Sequence, residues 1–276
     1  MLVANKIYYV DGVGGDDTNG GTGWSDAWKT IGKALSVAGD YDLVLVADAT
    51  YNETDLNFNG KKICLSGVDH NTSGAQPVID CQQAGRAFYF GSGETKDCVI
   101  DNFIIQSGRV EDAGGGAILC ENNSSPTIAN CVFQNNEVVD TNSSLDDCGG
   151  TIYCDSSSPA MNNCILWGNS ARSSGNEIYI RDSGSSCTLN YCCVDNTGYG
   201  GQTSNITENN CIHSDPQFVD AANGDYHLKD TSPCIDAGAN TLVPGAVGGD
   251  LDGNKRIVDG DNDGTATVDI GAYEKQ

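Results

Sequence analysis

The sequence predicts an all-β fold in which short strands wind into a parallel solenoid. Three observations carry this expectation. A segment with matched cysteines returns along the chain, apolar residues recur in columns two residues apart, and apolar residues are too few for a broad globular core. Gly115–Asn136 reads GGAILCENNSSPTIANCVFQNN, and 34 residues later Gly149–Asn169 reads GGTIYCDSSSPAMNNCILWGN. Of the 276 residues 38% are hydrophobic and 7% aromatic, whereas 35 are glycine. With abundant Asn, Asp, Ser and Thr, that balance favours many short strands joined by turns.

The N-terminus, MLVANKIYYV, opens directly on a strand-like segment, with no hydrophobic stretch of signal-peptide form. The repeats begin further on. Four segments align: AFYFGSGETKDCVIDNFIIQSG, AILCENNSSPTIANCVFQNN, TIYCDSSSPAMNNCILWGN and EIYIRDSGSSCTLNYCCVDN. Ile100, Ile128, Met161 and Leu189 share one column, and Phe103, Cys131, Cys164 and Cys192 the next. Ile105, Phe133, Leu166 and Val194 form a third, and Phe90, Cys120, Cys154 and Ile180 an earlier one. Alternation by two is strand periodicity. From Cys120 to Cys154 is 34 residues, from Cys131 to Cys164 is 33 and from Cys164 to Cys192 is 28, as in stacked supersecondary units with variable loops. No helical period runs inside the copies, so two-helix repeats are excluded and a parallel β-solenoid is left.

Two further columns follow from this alignment. Asn102, Asn130 and Asn163 fall at the turn between two strands, where their amides can hydrogen-bond along the axis. Tyr191 interrupts that column in the fourth copy. Tyr89, Leu119, Tyr153 and Tyr179 face outward, one per copy. Such a column can stack on sugar rings, pack against another protein, or lie under a loop.

The 13 cysteines, without CxxC pairs or zinc spacing, suit an oxidising extracellular setting. Their odd number leaves at least one unpaired within the chain. Neighbouring coils stand about 4.8 Å apart, within the Cα separations a disulfide tolerates. Cys120 over Cys154 and Cys131 over Cys164 are therefore disulfide candidates, and small apolar filler is the other reading of the same residues. The formal charge of −24 argues against nucleic acid or an anionic membrane as partner. No apolar run has transmembrane length, so no membrane insertion is expected.

The N-terminal YYVDGVGGDDTNGGTGWSDAWKTIGKAL, followed by DYDLVLVADATYNE, resembles the entry into the right-handed parallel β-helix, or pectin-lyase-like, superfamily. The C-terminal DPQFVDAANGDYHLKDTSPCIDAGAN and DLDGNKRIVDGDNDGTATVDIGAYE are similar to the tails of secreted bacterial β-helix proteins called choice-of-anchor Q. The resemblance implies a right-handed parallel β-helix of about seven coils with 20–30 residues each. A short helix at roughly Trp28–Ala38 plugs its N-terminal end. Residues 1–42 then hold the first strand and capping helix, 43–235 the coils, and 236–276 a non-repetitive C-terminal segment of the same structural domain. It also implies a bacterial protein that is secreted or held at the cell surface, its signal peptide absent from this sequence. Activity does not follow, because the superfamily holds lyases, hydrolases, epimerases and adhesins.

Its polysaccharide lyases need a Lys or Arg base and a cation above one sheet. Arg109 and Arg172 occupy similar positions after the third column and Arg181 lies further on; solvated ion pairs with Asp112 or Glu177 are the plainer expectation. Hydrolases need clustered carboxylates, but Asp101 is matched by Ala129, Asn162 and Asn190. Asp146 and Asp147 sit in the inserted loop EVVDTNSSLDDCGG, and His70, His213 and His227 lie in no nucleophile motif. No catalytic set emerges. In the tail, Asp259, Asp261 and Asp263 followed by Gly264 match the first half of a calcium loop. The pattern then departs from an EF-hand, with Ile270 at position twelve and Asp269 one residue early. A Ca²⁺ site of another shape is expected, with Asp250 and Asp252 as further ligands. The function expected is an extracellular or cell-surface module, structural, adhesive or carbohydrate-binding, with a glycan or surface protein as partner and self-association through its faces. The alternative is a calcium-assisted polysaccharide lyase.

Overall fold

The computed structural model describes residues 4–71, 76–139, 147–245 and 248–276. The chain is a parallel β-helix. Among the described residues its longest sheet stacks eight strands, from Ile7–Val10 through Val99–Asp101, Thr127–Ala129, Ala160–Asn162 and Cys187–Asn190 to Ile206–Asn209. The second sheet has six strands, from Ala49–Tyr51 to Cys193–Val194, and the third five, from Phe88–Phe90 to Tyr199–Gly201. A small sheet of Arg109–Glu111, Glu137–Val139 and Ser170–Ala171 flanks them. The longest sheet therefore has one rung more than the seven expected, because Ile7–Val10 pairs with Leu43–Ala47 and is itself a rung.

The register is the one the sequence columns require. Ile100 lies against Ile128, Met161 and Leu189 in turn, and Ile105 against Phe133, Leu166 and Val194. Cys120 stands beside Cys154. These side chains are fully buried and form one continuous core along the axis. The thiols of Cys131 and Cys164 lie close to one another, donating to Ala129 O and Asn162 O, and the stack runs on through Cys192 to Cys211. All 13 cysteines carry free thiols in this structure.

The plug is the helix Ile31–Val37, which begins later than Trp28 because Trp28 forms a bridge with Val10 and Thr30 is the N-cap. Thr30 Oγ1 accepts from Lys33 N at 3.2 Å, and Glu53 accepts from Ile31 N and Gly32 N at 2.7 and 2.8 Å. Ile31, Ala34 and Leu35 turn into the core with Trp28, which stacks on Tyr8. At the other end, Glu208 of the last rung lies against Leu189 and accepts from the Tyr199 hydroxyl.

The second sheet is buried on both faces. Its outward column of Val78, Ile104, Val132, Ile165 and Cys193 is in register from rung to rung. Over it lie Phe218, Tyr226, Leu228, Leu251, Ile270 and Tyr273. Covering one such aliphatic side chain contributes about 1.5–3 kcal/mol. The coils accordingly end near Ile212, which bridges Cys193, and the antiparallel pair Phe218–Asp220 and Asp225–Leu228 already belongs to the covering layer. The boundary expected at residue 235 thus moves forward.

The turn from first to second sheet holds Asn102, Asn130 and Asn163 at φ of 65°, 50° and 50°, a left-handed conformation that asparagine tolerates. Asn163 Nδ2 donates to Asn130 Oδ1 at 3.2 Å, as expected, but Asn130 donates to Asp101 rather than Asn102. Asn102 donates instead to Gly67 O. Asn163 also carries the tail: its Oδ1 accepts from Ala239 N and its carbonyl from Gly271 N. A second amide run, Asn209 to Asn190 to Asn162, lies on the outer face with steps of 2.8 Å. Inside another turn, Asn136 donates to Asn169, and Asn169 and Thr151 donate to Glu177.

Two tests follow. Asn163→Ala strands buried partners on both layers and costs about 3 kcal/mol, whereas Asn190→Ala on the half-exposed run costs about 1 kcal/mol or less. Chemical denaturation that ranks Asn190 above Asn163 would refute the turn's role. Burial raises the Glu177 carboxyl from 4.5 to about 7. Its folded-state value lies above the unfolded one, so its stabilisation is complete below pH 4.5 and fades as pH rises through 7. Melting temperature should fall from pH 5 to pH 8, and Glu177→Gln should flatten that slope.

Candidate functional site

The C-terminal covering layer gathers the acidic residues. Asp236, Asp259 and Asp261 bring one carboxylate oxygen each within 4.8 Å of one another. Side-chain-to-backbone bonds shape the loop: Asp259 accepts from Asp263 N and Gly264 N at 3.0 Å, and Asp261 from Asp263 N at 3.0 Å. Asn262 and Gly264, at φ of 64° and 96°, allow the turn, and an antiparallel bridge of Val258 with Thr267 closes its base. Asp236 reaches the loop from a distant segment. Its Oδ2 accepts from Asp261 N at 2.7 Å, while Oδ1 is buried without a hydrogen-bond partner. Burial raises the Asp236 carboxyl above its ordinary value, and the charge of Asp261 adds to that. Three converging carboxylates, with an orphaned oxygen on Asp236, fit a divalent cation such as Ca²⁺. Beside them lies a depression of about 420 Å³, lined by Asp230, Asp261, Lys275 and Gln276 among others, with Lys275 Nζ ion-paired to Asp230.

Only part of the expected metal set converges here. Asp259 and Asp261 do. Asp263 is exposed and accepts from Thr265 N within its own turn. Asp250 is spent on backbone N–H groups of Asp252, Asn254 and Glu274. Asp252 is engaged by His227 Nε2 at 2.7 Å and Gln76 Nε2 at 2.8 Å. Asp269 accepts from Asp236 N and Lys275 N, so it holds the backbone of a ligand candidate in place. Asp236 lay outside the expectation because no local spacing links it to Asp259.

Behind this loop a charge cluster ties the layers together. Buried Arg256 pairs with buried Glu274 at 3.5 Å and donates to Gly271 O. Burial pushes Glu274 up to about 9, against the lowering effect of Arg256, and pushes Asp101 and Asp269 to about 6. Asp101, expected to face outward, does so under the tail and is buried, bonded to Ser66 and Asn130. It is a structural acid.

The tyrosine column exists but is not an open platform. Tyr89, Leu119, Tyr153 and Tyr179 are in register, and Tyr153 stacks on Tyr179 at 5.3 Å. Tyr153 is only 6% exposed, which corrects the expectation of a free aromatic face. The backbone at Gly114 lies against its ring, so close that a Cβ there would sit 2.2 Å from a ring carbon. Tyr89 and Tyr179 remain half-buried, Tyr89 donating to Glu121.

The other candidates take structural partners. Arg109 pairs with Glu111 and Glu137, not Asp112, and Arg181 pairs with Asp155. Arg172 is exposed beside Glu137 and Ser170. His70 stacks on Trp24, His213 faces Glu208, and His227 sits between Asp225 and Asp252. Asp147 is buried, and Asp146 lies outside the described residues. No helix among the described residues is long and apolar enough to cross a membrane.

No family model matches this chain, and no curated protein matches it. Among solved structures it is similar to a rhamnogalacturonan lyase, with 15% identity and a TM-score of 0.49 over 75% of this chain and 56% of that one. It is also similar to pectate lyase Pel9A, with 11% identity and a TM-score of 0.37 over 100% of this chain and 98% of that one. The chain thus spans little more than half the length of the first. Likeness at this level says nothing about activity, and the fold stands on the strand pairing itself.

Proposed function

We propose that this chain is an extracellular, calcium-binding β-helix module that holds a neutral glycan against the outer face of its first sheet. One observation carries the reading. Thr127, Thr188 and Thr207, with Ala160 between the first two, occupy one outward column and Asn162, Asn190 and Asn209 the next, in register and without a charged side chain in either column over these rungs. Hydroxyls and amides on a flat, regular strip suit the hydroxyls of an uncharged sugar chain, whereas a polyanion would meet the −24 charge. The carboxylate trio would hold Ca²⁺ in the covering layer, which packs on the second sheet. Tyr89 and Tyr179 offer a second, narrower contact on the third sheet.

A calcium-assisted lyase is the second reading, favoured by Lys275 lining the depression beside Asp261. A lyase base must be free to take up the sugar's proton, and here Nζ is engaged as a donor to Asp230.

Retention on a panel of insoluble neutral glycans tests the first reading. Thr188→Ala with Asn190→Ala should weaken retention about tenfold, the loss of roughly 1.4 kcal/mol, with Tyr179→Ala having less effect. Unchanged retention in the double variant would sink it. Unsaturated product from polyuronates, lost on Lys275→Ala, would favour the lyase instead. Ca²⁺ at a hundredfold excess over its Kd should stabilise the fold by about 2.7 kcal/mol, read as a rise in melting temperature that a chelator reverses. Asp259→Asn with Asp261→Asn should abolish the rise. A persisting rise would place the ion elsewhere.

A further inference from the structure

Cys192 and Cys193 are neighbours in sequence but belong to different cores. Cys192 lies in the solenoid interior, donating to Met161 O at 3.4 Å, with Cys164 and Cys211 above and below. Cys193 faces the opposite way, into the layer between second sheet and C-terminal segment. There it donates to Ser214 O at 3.3 Å, and its thiol lies close to that of Cys234 in the same buried cluster. Cys234 is held in place by its backbone: its N–H donates to Ser232 Oγ at 3.1 Å, and its carbonyl accepts from Ile270 N at 2.9 Å. Ser232 Oγ in turn donates to Pro216 O at 2.7 Å. Both cysteines are fully buried.

We propose that Cys193 and Cys234 form a disulfide that staples the C-terminal segment to the β-helix. The two thiols give up two protons and two electrons, and a low-molecular-weight disulfide such as oxidised glutathione takes them up and leaves as two thiols. The exchange occurs while the chain folds, before the covering layer shuts the pair away from solvent. This bridge differs in kind from one inside the solenoid. Successive rungs are already fixed by their ladders, whereas among the described residues the strands of the covering layer pair only with each other and not with the second sheet. A link here closes a loop of 41 residues (234 − 193), long enough to restrict the unfolded chain substantially. Alternation along the strand also forbids the vicinal pair from serving as its own bridge, since Cys192 and Cys193 point apart.

The test is a linkage map of the full chain refolded in a glutathione redox buffer, alkylated and digested with trypsin. Cleavage after Lys229 and Lys255 releases Asp230–Lys255, whose single cysteine is Cys234. The preceding tryptic peptide, 182–229, carries Cys187, Cys192, Cys193 and Cys211. The two peptides should emerge joined, two hydrogens lighter than their sum, and fragmentation should place the bridge on Cys193. Cys193→Ser should abolish the joined species and Cys192→Ser should leave it. Cys234 alkylated in the refolded wild type, or bridged to another cysteine, overturns the proposal. The wild-type map decides the matter without requiring either variant to fold.

Discussion

The distance between successive coils governs this structure. Parallel strands stand about 4.8 Å apart, so each side chain rests on the residue one coil before it and must be compatible with it. Apolar stacks on apolar in the Ile100, Ile128, Met161 and Leu189 column, and thiol on thiol from Cys131 to Cys211. Amide rests on amide where Asn163 donates to Asn130, and Asn130 in turn donates to the carboxylate of Asp101. The same rule multiplies the effect of an incompatible residue, because it disturbs the rungs on both sides.

That repetition is why much of the fold was legible. The inward columns, the left-handed asparagine turn and the plugging helix all leave a mark at fixed intervals or in a short local pattern. The two-sided burial of the second sheet left one too. Ile104–Ile105, Val132–Phe133, Ile165–Leu166 and Cys193–Val194 are apolar at consecutive positions, where a strand with one wet face alternates. Read that way, the sequence already calls for a cover, and the C-terminal segment is the chain available to provide it. The start of the cover is not marked in the sequence, because the cover has no repeat of its own.

The candidate site was less legible, for a related reason. The Asp259–Gly264 loop is local, built from aspartates that bind their own backbone, and spacing alone exposes it. Asp236 reaches it from a segment more than twenty residues away, and only the packing of the covering layer joins the two. Asp250, Asp252 and Asp269 carry the same charge in the same tail, yet their oxygens are consumed by backbone N–H groups and His227. The enclosure of Tyr153 had a visible sign in the glycines of AGGG, since the absence of side chains lets backbone approach a ring.

The two ends of the β-helix are finished by opposite means. The first rung is sealed by apolar side chains of the Ile31–Val37 helix. The last places Glu208 over Leu189 and engages it with Tyr199 and His213. Any strand that docked on this rung would have to bury a carboxylate in line with the core, at a cost of several kcal/mol. One terminus therefore blocks growth by covering its edge, the other by leaving a charge on it. A carboxylate in line with the core of the last rung thus disfavours the end-to-end strand pairing by which such a geometry would extend.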